Sequence, residues 1–380
     1  MNKILQLSKK IFTWSIVAPL IAWLLLCGMQ LGIKEALGYC YLPIMFAGLI
    51  GTVLAAVHHA EVVAHKLGEP FGTLLLTVAI TVIEVALILS LMLTGGPETA
   101  SLARDTVFAS VMIILSGIMG LCLLIGGVLY KEQVFQLHGA NVALTTLSAI
   151  VVLTLILPNY TTTSVGPMYS PSQLTFIALV SLVLYGIFVF VQIIRHRNYF
   201  LDTADNDIYT SYDDKHATSI RVEHLPASSN KVIFLSATLL LVCLGAVVLL
   251  AKSIAPSIEI LVDSVGAPNQ LVGVIIASIV LLPEGLAAVH AARKNHFQTS
   301  LNLALGSALA TIGLTIPAVA ILSLMMGWTL LIGIDAKATV LLLLALFINA
   351  LSLSTGRTNI LQGAILLVIF GVYLFTTIIP

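Results

Sequence analysis

The sequence predicts an all-α polytopic membrane protein of about eleven transmembrane helices, arranged as one extra N-terminal helix plus two inverted five-helix repeats. Three observations carry this. Only 9% of the 380 residues are charged and 59% are hydrophobic, where soluble domains carry about a quarter charged residues. The mean hydropathy is +1.09. Eleven apolar segments approach the roughly 20 residues that a helix needs to cross the hydrocarbon of a bilayer, and one long polar stretch divides them.

The first segment, 14–33, follows Lys3, Lys9 and Lys10. It is longer than the apolar run of a signal peptide and no small-x-small cleavage pattern follows it, so it reads as a spanning helix. Segments 40–58, 72–95, 106–130, 140–158 and 173–194 come next; after the polar stretch come 232–252, 270–292, 300–326, 337–355 and 359–379. The distribution of Lys and Arg sets the orientation. With the N-terminus inside, thirteen of them fall on the inner side and four on the outer, namely Lys34, Arg104, Lys252 and Lys337. The N-terminus is therefore expected in the cytoplasm and the C-terminus outside a plasma membrane, the inner membrane of a bacterium.

Several function classes drop out. A net charge of zero argues against nucleic acid as a partner and leaves the lipid bilayer. Cys27, Cys40, Cys122 and Cys243 lie far apart, with neither metal nor thiol-exchange spacing, and read as apolar fillers. No Ser/His or Cys/His nucleophile pairing and no Asp pair at membrane depth supports an enzyme, and no motif asks for a cofactor. "HHAEVVAH" (58–65) lacks the HExxH spacing of a zinc site. His59, Glu61 and His65, with Glu69 in "HKLGEP", read as the mouth of a cation path or as a plain interfacial loop. The polar stretch holds Asp202, Asp205, Asp207, Asp213, Asp214 and Glu223, and reads either as a solvated linker or as a cation-sensing loop.

Cutting at that stretch gives 1–36 as the extra helix, 37–195 as a first five-helix repeat, 196–230 as an acidic cytoplasmic linker and 231–380 as a second repeat. Repeats with an odd number of helices enter the membrane with opposite orientations, as in many secondary transporters. One point of sequence supports the cut. Glu84 sits alone in "LTVAITVIEVALILSL", and Glu284 is the lone mid-membrane acid of "ASIVLLPEGLAAVHAARKN". Ser110 follows Glu84 by 26 residues and Ser307 follows Glu284 by 23, while Asp105 and Asn302 each precede the serine by five.

An acid inside a spanning segment costs a few kcal/mol or more and marks an ion path or a relay by default. Two carboxylates close together in low dielectric cannot both remain ionised unless a cation joins them. Two protons or one hard cation satisfy the pair, and calcium wants about 6–8 oxygen ligands. Hydroxyls are spaced to help. Thr73, Thr77, Thr81 and Glu84 share one helix face, as do Ser307, Thr311 and Thr315. Gly306 and Gly313 are expected to let that second face approach its neighbours closely. Pro283 lacks an N–H and is expected to break its helix and free the Ile279 carbonyl. His290 reads either as part of a proton path or as a packed side chain, and Arg357 as a tie between the last inner loop and an acid or helix end.

"HAEVVAHKLGEPFG", "VIEVALI", "ARDT", "LLPEG", "NLALGSALATIGLTIP" and "STGRTNIL" together resemble the cation/proton exchanger (CAX) family of the calcium/cation antiporter superfamily, in particular its bacterial members. The resemblance implies an antiporter that moves Ca2+, or Na+ or K+, against H+, with ion-binding acids at Glu84 and Glu284. Ser110, Asn302, Ser307, Thr311, Thr77 and Thr81 would support them. One departure bears on the cation. The family's Gly-Asn before each acid is replaced by Ile80 and Thr81 in one half and by Val280 and Leu281 in the other. An amide ligand is missing, which keeps a monovalent-cation/proton antiporter open beside calcium exchange, with a channel or uniporter as a further alternative.

Overall fold

A computed structural model describes residues 2–30, 41–67, 71–99, 101–201, 230–264, 266–268 and 270–379. Among them eleven long helices follow one another: α1 (Asn2–Gln30), α2 (Tyr41–Leu67), α3 (Phe71–Gly95), α4 (Leu102–Tyr130), α5 (Leu137–Tyr160), α6 (Pro171–Arg195), α7 (Asn230–Ser264), α8 (Gln270–Arg293), α9 (Phe297–Met326), α10 (Ala336–Leu353) and α11 (Ile360–Ile378). Ten are long and apolar enough to cross a membrane, and the apolar part of α1 is the shorter Trp14–Met29. No strand occurs among the described residues, only the isolated bridges Val134–Arg357 and Met168–Leu331.

Local chemistry fixes the ends. Ser170 and Gln173 form a reciprocal capping box at the start of α6, with Pro171 in the first turn. Asn359 and Gln362 do the same for α11. Asp335 caps α10 by accepting from the Ala338 amide at 2.6 Å. Gly327 ends α9 in the left-handed region at φ +68°, where a side chain would be strained.

Three expectations change. The "HHAEVVAH" stretch continues α2 to Leu67 and is helix, not loop. The seventh helix runs well beyond residue 252, to Ser264, for 35 residues or about 52 Å at 1.5 Å per residue. Its hydropathy falls there because Lys252, Ser253, Ser257 and Glu259 are polar, while Ile254, Ala255, Ile258 and Val262 stay buried at helical spacing against α2 and its neighbours. Finally, α8 passes through Pro283 unbroken and α3 is likewise continuous. Pro283 removes one intrahelical hydrogen bond without ending the helix. The described front of the linker also differs from a free loop, since Phe200 and Leu201 are buried and Phe200 packs edge-on against Phe188. Residues 202–229 of the linker lie outside the described part.

The helices bury their apolar faces in two cores. One gathers α1, α2 and α7; the other gathers α4, α5, α6, α9, α10 and α11. Both glutamate-bearing helices straddle the seam between them. From α3, Ile80, Ile83, Leu87 and Leu91 face the first core while Ile88 and Met92 face the second; from α8, Val272, Ile276 and Val280 face the first while Val274, Ala277 and Leu281 face the second. Across the molecule α2 packs on α7, α4 on α8 and α3 on α9, and α6 packs on α9 as α11 packs on α4.

A second feature sits beside the seam. Just after Ser110, α4 widens into a π-helical turn at Ile113–Ile118. Such single wide turns leave carbonyls badly aligned. Asn349 of α10 answers one of them, donating from Nδ2 to the Leu115 carbonyl at 2.9 Å.

Candidate ion site

The two carboxylates are buried at the seam, Glu84 at 1% exposure and Glu284 at 6%. Each is held by hydroxyls. Ser110 of α4 donates to Glu84 Oε1 at 2.8 Å, and Thr311 of α9 donates to Glu84 Oε2 at 2.6 Å. Ser307 of α9 donates to Glu284 Oε2 at 2.6 Å. Ser307 and Thr311 are four residues apart on one helix face, about 6 Å along the axis. The face of α9 therefore sets both acids side by side, each gripped by a neighbouring turn. The bond from Thr311 crosses from the second half of the chain to the first.

Burial without a counter-charge is the decisive electrostatic feature. Among the described residues the ion pairs are Arg104–Asp105 and Arg357–Glu132, and neither touches these acids. Glu284 Oε1 is buried and has no hydrogen-bond partner. A hydroxyl that donates its one proton keeps its lone pairs, so the oxygens of Ser110, Ser307 and Thr311 remain able to accept or to coordinate beside the carboxylates. Among the described residues no cluster of three His, Cys, Asp or Glu side chains offers a resident metal site.

The remaining expected residues fall elsewhere. Thr81 is buried, and its hydroxyl turns back to the Thr77 carbonyl at 2.9 Å. Thr77 and Asn302 line one small cavity with Gln192 and Gly306. Asn302 itself is engaged with the Phe200 carbonyl and the Gln298 amide and does not join the carboxylates. His59 is buried in α2 and bonds to the Ser15 carbonyl of α1 at 3.2 Å, which ties the extra helix to the bundle. The side chains of Glu61 and His65, and the whole of Glu69, lie outside the described residues.

Two further hydroxyls stand close to the site, Thr315 from the stripe read in the sequence and Thr106, which that reading missed. Thr106 lies one turn from Ser110 on α4, and Thr315 one turn from Thr311 on α9; both are buried and without a hydrogen-bond partner. For Thr106 the signal was present, a hydroxyl four residues before Ser110. The glycines divide. A Cβ at Gly313 would come within 2.8 Å of the Tyr185 Cβ, so its close approach is real, whereas a Cβ at Gly306 would meet nothing within 4 Å.

The sodium/calcium exchanger protein family matches residues 37–194 and again 235–379. The chain belongs to that family. Both matched stretches carry one of the two acids and its serine. Among relatives of this exchanger chain, y4hA of Sinorhizobium fredii is 45% identical over 89% of each chain. The sodium-potassium/proton antiporter ChaA of Escherichia coli is 35% identical, covering 87% of this chain and 86% of that one. The crystal structure of the H+/Ca2+ exchanger CAX shares the fold, with a TM-score of 0.67 at 16% identity, covering 96% of this chain and 89% of that one.

Proposed function

We propose that this chain is a secondary transporter exchanging a cation for protons by alternating access, with Glu84 and Glu284 as the shared site for both. The observation that carries the reading is the cross-half bond from Thr311 to Glu84 beside a buried, unpartnered Glu284 Oε1. Uncompensated charge in a low-dielectric interior is costly. The pair therefore changes the side it faces only when loaded with protons or with a cation, and competition between the two loads is exchange.

Calcium is the cation the donor set fits first. Four carboxylate oxygens and three hydroxyl oxygens match in kind and number the oxygen shell of about 6–8 that calcium takes. Sodium or potassium as the principal cation has separate support, because Leu281 stands where an amide ligand would deepen a divalent site. The Escherichia coli relative also carries a monovalent-cation name.

The paired packing of α4 on α8 with α3 on α9, and of α6 on α9 with α11 on α4, supports two inverted repeats over 37–195 and 231–380. The seam between the two cores is where α1, α2 and α7 would move against the rest. The excess of inner Lys and Arg supports a bacterial inner-membrane protein with a cytoplasmic N-terminus and the C-terminus outside.

The test is ion flux into inside-out vesicles carrying a pH gradient, with calcium, sodium and potassium compared and a pH dye recording protons. Glu84→Gln and Glu284→Gln are expected to abolish coupled exchange while leaving a folded protein. Half-saturating cation should rise as pH falls. Full exchange in either variant defeats the site. Cation flux with no proton movement would instead make the protein a channel or uniporter.

A further inference from the structure

A cleft of about 900 Å³ opens between the second half of α2, the second half of α8 and the start of α9, with Trp14 of α1 at its edge. Its far end reaches Pro283, the residue before Glu284, so it runs from one membrane face to the depth of the ion site. The position suggests a cation vestibule. Its lining argues otherwise.

The polar end carries Arg293 and Lys294, together with His58, His290 and His296, and among the described residues no acid lines the cleft. Arg293 and Lys294 are exposed, and among the described residues neither pairs with a carboxylate. Fixed positive charge repels an approaching cation. The other wall is apolar: Leu54, Val57, Leu286 and Val289. Leu286 is 57% exposed and Trp14 45% exposed, and Trp is favoured at the bilayer interface. Cations at the mouth above a hydrocarbon wall match one ligand in both parts. We infer that this cleft holds an anionic phospholipid, with its headgroup phosphate on Arg293 and Lys294 and an acyl chain along Leu286 and Val289 toward Pro283.

Basic pockets between spanning helices bind anionic lipid headgroups in this way, with each basic residue contributing about a fivefold preference. Free phosphate would use the cations and ignore the apolar wall. The acidic linker of this chain would use the cations in a third way, and the experiment separates the three.

The purified full chain is equilibrated with equimolar phosphatidylglycerol and phosphatidylcholine, and retained lipid is read by native mass spectrometry. The wild type is expected to retain phosphatidylglycerol selectively. R293Q/K294Q should retain about 25-fold less of it, and L286W should lose it with both cations intact. Equal retention of the two lipids, or retention unchanged in both variants, overturns the assignment. Displacement by soluble glycerol phosphate would make it a free-anion site. Retention that appears only after residues 205–225 are deleted would make the linker the occupant. Because the readout is bound lipid, it stands or falls separately from the exchange activity.

Discussion

Thr311→Val replaces a hydroxyl with a methyl of nearly the same shape, at a hydrogen bond that joins the second half of the chain to the acid of the first. Two things are lost. Glu84 Oε2 gives up a donor at 2.6 Å, and a cation between the acids gives up one oxygen. Ser110 still holds Oε1 at 2.8 Å, so the carboxylate keeps one anchor and becomes free to turn about it. A hydrogen bond to a charged group is worth about 1.5–3 kcal/mol, which is about 10- to 140-fold in affinity at 1.4 kcal/mol per decade. Half-saturating cation in the vesicle flux assay is therefore expected to rise by about that range. Thr311→Ser keeps the donor and should stay near the wild type. In a cycle with Ser110→Ala the two losses should not add, because both act on one carboxylate. If Thr311→Val binds cation within about twofold of the wild type, the cross-half bond is packing detail and the acids do not work as one site.

Other substitutions test the scaffold. Gly313→Ala should lower stability by about 1–3 kcal/mol through overpacking against Tyr185, while Gly306→Ala, with open space around it, should be neutral; thermal melts in detergent compare them. Asn349→Leu leaves the Leu115 carbonyl of the π-helical turn unanswered. It should cost about 1–3 kcal/mol in the same melts and weaken cation binding, because that turn follows Ser110. Glu132→Gln removes the partner of Arg357 at 3.3 Å, but the two side chains are 59% and 67% exposed. A surface pair of this kind is worth about 0–1 kcal/mol, so flux and melting point should barely move.

What the sequence made visible was governed by how locally each feature is encoded. Glu84 and Glu284 stood out because an acid in an apolar run is expensive wherever it occurs, and Ser110 and Ser307 followed from their matched distances. Both serines do touch the acids. Thr311 belonged to a visible hydroxyl stripe, yet its partner lies 227 residues away, and periodicity carries no information about which distant face it meets. The seventh helix was cut short because mean hydropathy counts a polar face against the whole segment. The helical spacing of Ile254, Ile258 and Val262 held the correction.

Pro283 misled in the opposite direction. A proline rule describes one missing hydrogen bond, whereas the burial of Val280, Leu281 and Ala288 on the two cores keeps α8 in one piece on both sides of it. That continuity bears on the chemistry. With α3 and α8 unbroken, backbone carbonyls contribute less to the site than a split helix would supply. In the proposed site the hydroxyls of Ser110, Ser307 and Thr311, already bonded to the two acids, would supply oxygens in their place.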